Sequence, residues 1–87
     1  MYMVYILECR DGTYYTGITN RLRERLKQHQ LGKASKYTRA RLPVKLVYQE
    51  SALDKSHALK REWEVKSWSR TKKHRLVQTF LGELVDE

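Results

Sequence analysis

The chain holds one cysteine, one proline and four glycines in 87 residues. A lone thiol, Cys9, makes no internal disulfide, which excludes a secreted disulfide scaffold and points to a reducing, cytoplasmic setting. One cysteine and three histidines at scattered spacings build no zinc cluster. So little proline and glycine leaves no disordered tail or linker. No run of about eighteen apolar residues occurs, so no membrane span is expected. The opening MYMVYILE has neither a basic start nor a small-residue cleavage site and does not read as a signal peptide. Acidic side chains are also scarce. Ten Asp+Glu face eighteen Lys+Arg, a formal net charge of +8. A chain this short buries only about 60% of its unfolded surface, which leaves no room for a deep cofactor cleft. A compact module acting on a polyanion at its surface fits these limits, since Lys and Arg that neutralise phosphates release counterions.

What is present reads as strand, hairpin, strand, helix, loop, strand, helix, helix, an α+β layer. Met3 to Glu8 and Thr13 to Thr19 are rich in β-branched and aromatic residues and suit strands. Thr19 or Asn20 is placed to cap a helix over RLRERLKQHQ, which Gly32 stops. Residues 33–42 are basic and irregular. Val44 to Tyr48 form a third strand, with Val44, Leu46 and Tyr48 on one face. Ser51 or Asp54 caps a second helix from about Lys55 to Ser67. Ser69 caps a third, with Leu76, Val77, Phe80 and Leu81 as its apolar stripe.

The hairpin register decides whether Tyr5 and Tyr15 can act together. A two-residue turn at Asp11-Gly12 pairs Tyr5 with Ile18 and sends the two phenols to opposite faces. A three-residue loop, Arg10-Asp11-Gly12, pairs Tyr5 with Gly17 and Leu7 with Tyr15, and the phenols share a face. That loop needs a left-handed residue at its end, where Gly12 stands, so the three-residue register is expected.

Glu62 is the most informative side chain. At roughly 100° per residue it falls within the apolar stripe of the second helix, near Ala58, Val65 and Leu59, while Glu64 points to solvent. A carboxylate there costs several kcal/mol unless a cation or donors meet it. It can pair with an arginine, hold a divalent metal, or lie at the mouth of a cleft. On the first helix Arg21, Arg25 and His29 recur every four residues and stack along one side. That side is either a solvated face or a phosphate site, with arginine as a rigid fork and histidine as a proton carrier. Trp63 and Trp68 point too far apart on the second helix to enter one core. Packing against the third helix is the expected role for Trp68.

These residues carry a resemblance. Val4-Tyr5-Ile6, then Tyr15-Thr16-Gly17, then Arg25 and Glu62 on successive helices, resemble the GIY-YIG nuclease superfamily. Ten residues separate Tyr5 from Tyr15 and ten separate Tyr15 from Arg25. The segments YTGITN, RLKQH, KYTRARLPVKLVY and ALKREWEVKSWSR are similar to the small stand-alone bacterial members.

The resemblance implies a single domain over 1–87, with a core of about 2–73 and a C-terminal helix to about 82. It implies a three-stranded antiparallel sheet flanked by helices. The implied activity is metal-dependent hydrolysis of phosphodiester bonds in DNA. By that resemblance Glu62 is the metal-binding carboxylate, for Mg²⁺ or Mn²⁺, and Arg25 steadies the scissile phosphate. Tyr5 and Tyr15 orient or deprotonate the attacking water, His29 assists them, and Gly17 lets the backbone lie close.

The lysine that some members carry after the second motif is Ile18 here. The resemblance is therefore also compatible with a non-catalytic nucleic-acid-binding module. No separate DNA-binding domain fits in the chain. The basic loop with Lys33, Lys36, Tyr37, Arg39 and Arg41, and the run with Arg70, Lys72 and Lys73, are left to grip the DNA backbone. A protein partner could supply substrate specificity. Tyr37 is a candidate to stack on an unpaired base.

Overall fold

The computed structural model describes residues 1–85. Strand β1 (Tyr2–Glu8) and strand β2 (Tyr14–Thr19) form a hairpin. Helix α1 (Leu22–Gln30), a short helix α2 (Lys36–Arg39), strand β3 (Lys45–Ala52), helix α3 (Lys55–Lys66) and helix α4 (Arg70–Val85) follow. The sheet is antiparallel in the order β2-β1-β3, flanked by helices as expected.

Central β1 is apolar throughout because both its faces are covered. Tyr5 and Leu7 enter one core with Cys9, Val44, Leu22, Leu26 and Leu46. Ile6 enters the other with Val47, Val65 and Val77. The β1–β2 register is the three-residue one. Tyr5 faces Gly17 and Leu7 faces Tyr15, the Cys9 N–H donates to the Thr13 carbonyl at 2.9 Å, and Gly12 takes φ +83°.

Three local expectations need correction. The 33–42 stretch is not wholly irregular: Ser35 caps α2, its hydroxyl accepting from the Thr38 N–H at 3.1 Å. Neither Thr19 nor Asn20 caps α1. Arg21 holds that position without a side-chain cap, and the Thr19 hydroxyl accepts from the Arg21 N–H instead. The faces of β3 switch midway. Opposite Ile6 and Leu7 the partners are Tyr48 and Leu46, so Val47 is an extra residue. This bulge sends Val44 and Leu46 into one core and both Val47 and Tyr48 into the other. Asp54 caps α3 and Ser69 caps α4. Among the described residues no helix is long and apolar enough to cross a membrane.

Candidate active site

The shared face of β1 and β2 builds the floor of the site. Tyr5 and Tyr15 project from it side by side, with ring centroids 6.4 Å apart. Pleat alternation puts them on one face, and the hairpin register sets the gap between them. Gly17 stands beneath them. A Cβ there would lie 2.6 Å from the Tyr5 hydroxyl and 3.1 Å from Tyr15 Cε2. The phenols approach the backbone because that side chain is absent.

Helix α1 lays two of its i,i+4 residues over this floor. His29 is fully buried. Its Nε2 lies 2.8 Å from the Tyr5 hydroxyl, and its ring meets Tyr15 edge-on at 5.2 Å. Its Nδ1 lies 2.9 Å from the Thr38 hydroxyl. That hydroxyl in turn reaches the Ser35 hydroxyl at 3.0 Å and the Ser35 carbonyl at 3.4 Å. A Thr38 proton given to Ser35 leaves Thr38 accepting from Nδ1–H, which leaves Nε2 bare toward Tyr5. Arg21, the third member of the expected stripe, points to solvent and pairs with Glu24.

Arg25 is partly buried and close enough to hydrogen-bond the Tyr5 phenol, while its buried Nε has no hydrogen-bond partner among the described residues. A buried guanidinium N–H left unpaired is costly.

Glu62 rises from α3 close enough to act on Tyr5. Its side chain is 19% exposed and its ion pair is with Lys66, at 3.4 Å. It does not pair with Arg25. Of the three roles open to Glu62, the arginine ion pair is therefore not formed, and Glu62 lines a hollow with Leu59, Lys60, Trp63 and Lys66. The structural ion pair of this region is a different one: Arg61 grips both oxygens of Glu50, at 2.9 and 3.2 Å. Glu62 also sits at the edge of the apolar stripe rather than within it. Ala58 and Val65 are buried, whereas Leu59 is 46% and Trp63 77% exposed. Trp68 packs into the core as expected.

Burial pushes the Tyr5 phenol up to about 12, with Arg25 pulling against it. Burial, and Arg25 nearby, push His29 down to about 4. Both groups are therefore uncharged at neutral pH. The consequence for stability has a definite sign. Between about 6.5 and about 4 the unfolded chain binds a proton on this histidine and the folded chain does not, so stability falls as pH drops through that window. The loss is at most ~3 kcal/mol. Above pH 10 the sign reverses for Tyr5: the unfolded chain ionises first, and stability falls toward pH 12. Denaturant melts across pH 4 to 12 should show a plateau between about 6.5 and 10. An NMR titration should find the His29 ring neutral down to about pH 5.

A single carboxylate at a cleft edge suits a hard cation that keeps most of its waters, and Glu62 is the side chain that would hold it. Among the described residues no cluster of three or more His, Cys, Asp or Glu surrounds it.

The basic residues divide. Lys33, Lys36 and Arg39 line a hollow of about 380 Å³ with Ser35. Lys73 joins Tyr14, Tyr15, Thr16, Tyr37 and Lys66 around another of about 220 Å³. Three other cations are engaged in the fold. Arg41 donates to Asp11 and to the Tyr37 carbonyl, Arg70 donates to the Gly12 carbonyl at 2.7 Å, and Lys72 sits over Trp68. Tyr37 is stacked on Tyr15 at 6.1 Å and carries the Arg41 guanidinium at 3.8 Å from its centroid. Its ring is already occupied.

Two neighbours of the candidate site carried little or no signal in the sequence. Lys66 could have been found as the i+4 partner of Glu62. Nothing in the sequence marks Thr38 as a partner of His29.

Comparison with known proteins gives a consistent picture. Residues 1–75 match the model of the GIY-YIG catalytic domain. A UPF0213 protein of Staphylococcus aureus strain Mu3 is 48% identical over 77 residues, covering 88% of this chain and 94% of that protein. Strain N315 of the same species has a UPF0213 protein with the same figures. The solution NMR structure of a UPF0213 protein from Bacillus halodurans is 48% identical and covers 91% of this chain and 85% of that one, with a TM-score of 0.58.

Proposed function

The chain belongs to the GIY-YIG catalytic-domain family, a family of nucleases that generally uses a divalent metal, and on that premise we propose that it is an endonuclease hydrolysing phosphodiester bonds in DNA with low sequence specificity. The observation that carries this reading is the convergence of Tyr5, Tyr15, Arg25 and His29 beside Glu62, with the buried Arg25 Nε lacking an acceptor among the described residues. A phosphate oxygen is the acceptor that would satisfy it. Phosphodiester hydrolysis builds negative charge on the phosphorus oxygens, and a guanidinium held in place stabilises that charge without reorganising.

Glu62 holds the metal in this reading. When bound, Mg²⁺ supplies Lewis-acid stabilisation of the leaving oxygen. The chain's own residues do the rest. Arg25 grips the phosphate. Tyr15, which keeps exposed surface, is the phenol that meets the attacking water. Tyr5, enclosed and bonded to His29, holds the ring pair in position. His29, neutral at pH 7, hydrogen-bonds the Tyr5 hydroxyl through Nε2 and orients that phenol. Lys33, Lys36, Arg39 and Lys73 bind the DNA backbone.

One observation favours a second reading, a nucleic-acid-binding module without cleavage. The Tyr5 phenol at about 12 and His29 at about 4 are far apart, which opposes proton transfer between them in the resting site. A panel of duplex, single-strand, flap and junction DNA separates the two. The nuclease reading expects cutting that requires Mg²⁺ or Mn²⁺ and stops in EDTA. Salt-dependent binding without cutting on any substrate would establish the second reading instead.

A further inference from the structure

The outer side of α3 carries an apolar ledge that folding does not use. Leu59 and Trp63, one turn apart, are 46% and 77% exposed. With Lys60, Glu62 and Lys66 they line a hollow of about 480 Å³. An isolated exposed apolar residue needs no explanation. This pair differs in its neighbours, because the hollow also holds the Glu62 carboxylate. Lys66 lines this hollow and also the one beside Tyr15 and Tyr37. Lys66 thus joins the Trp63 hollow to the one beside Tyr15.

The rings of the site differ in how they are occupied. Tyr37 carries Arg41 and stacks on Tyr15. Trp68 carries Arg61 and Lys72. Among the described residues no ring or cation stacks on Trp63.

We propose that Trp63, backed by Leu59 and flanked by Lys60 and Lys66, is a stacking subsite for one unpaired nucleobase next to the phosphodiester that is cut. This rests on the nuclease reading above and specifies its substrate class: single-stranded DNA, or DNA with an unpaired nucleotide at the cut. Three arguments select that occupant. An indole face stacks any base, whatever the sequence. Lys60 and Lys66 outnumber Glu62 in the lining of the hollow, so its charge is net positive and complementary to a phosphate backbone. In a duplex both faces of a base are covered by its neighbours, so only an unpaired or terminal base can use the ledge. A second copy of the chain fits poorly. Two side chains offer on the order of 300 Å² at most, against roughly 800 Å² per partner in a stable dimer. Pairing the two ledges would also bring the lysines of a +8 chain together.

The test is equilibrium binding in EDTA, so that affinity is read without cleavage. The probes are a short oligodeoxythymidylate and a blunt duplex of mixed sequence, at one fixed salt concentration. Trp63→Ala should weaken the oligodeoxythymidylate about tenfold or more and move the duplex by less than about twofold. Trp63→Phe should recover most of the loss. Intrinsic tryptophan fluorescence should be quenched by the oligomer in the wild type and much less in Trp63→Phe. Equal weakening of both probes, or of neither, would overturn the proposal. So would a concentration-dependent dimer in sedimentation that Trp63→Ala abolishes. Cleavage is scored separately with Mg²⁺. Trp63-dependent binding without cutting by the wild type removes the nuclease reading and leaves the stacking subsite. Cutting that is indifferent to Trp63 does the reverse.

Discussion

Glu62→Gln is expected to remove metal-dependent cleavage while leaving the fold intact. Glutamine keeps the shape of the side chain but offers a neutral amide where a hard cation wants an anionic oxygen. Loss of that charge stabilisation should cost about 10³-fold or more in rate, equivalent to ~4 kcal/mol of the barrier. Stability should hardly move. The carboxylate is at a cleft edge, and its ion pair with Lys66 is a helical i,i+4 contact with a half-exposed lysine, a type worth only ~0.3–0.5 kcal/mol. The pairing of a large kinetic loss with a small thermodynamic one is the diagnostic. Denaturant unfolding of both proteins beside a cleavage time course supplies it. A drop of several kcal/mol in stability would mean that the carboxylate is structural after all. Unchanged cleavage would remove Glu62 from the reaction.

The second large effect is expected at Gly17. In Gly17→Ala the new Cβ would fall 2.6 Å from the Tyr5 hydroxyl and 2.7 Å from its Cζ, with Tyr15 Cε2 at 3.1 Å. Those contacts are too close to persist. Tyr5 cannot move aside cheaply, because it is fully buried and bonded to His29. Overpacking of this kind costs typically ~1–3 kcal/mol, and in a domain of this size each kcal/mol lowers the melting temperature by about 4–8 °C. Catalysis should fall further, by about 10²-fold, since a displacement near 1 Å misaligns reacting groups. Gly82→Ala is the matched control. It lies in α4 with nothing among the described residues within 4 Å of its added Cβ, so it should be neutral or slightly stabilising. Thermal melts of the two variants decide the matter. A Gly17→Ala protein that melts within a degree of wild type would show that the phenol is not locked where it stands.

Both expectations draw on features that differ in how readable they are along the chain. The two-strand hairpin and its register follow from local facts. Tyr, Val and Ile alternate on a pleat, and Gly12 ends a loop that only a left-handed residue closes. Glu62 stands out for a local reason too, as a charge placed among the few apolar residues of its helix. The shared face of Tyr5 and Tyr15 then needs only the period of two. Helix α2 was hidden because four residues carry too little periodicity, although Ser35 ahead of Thr38 is a capping pattern. The face switch in β3 was hidden because a bulge at Val47 arises from the pairing with β1, not from the residues of β3 alone.

The sequence by itself determined the order of elements and the hairpin register, while the candidate site residues came from its resemblance to a family. It could do so because backbone preferences and side-chain periodicity act over a few neighbouring residues. Tertiary structure alone decided which partners those residues take. Among the described residues it left Arg25 Nε without an acceptor and Glu62 with Lys66, it enclosed His29 between Tyr5 and Thr38, and it kept Trp63 bare while Trp68 was covered. The physical reason is distance along the chain. Each of those outcomes depends on which helix or loop packs where, and burial, which sets the charge of Tyr5 and His29, exists only once the layers have closed.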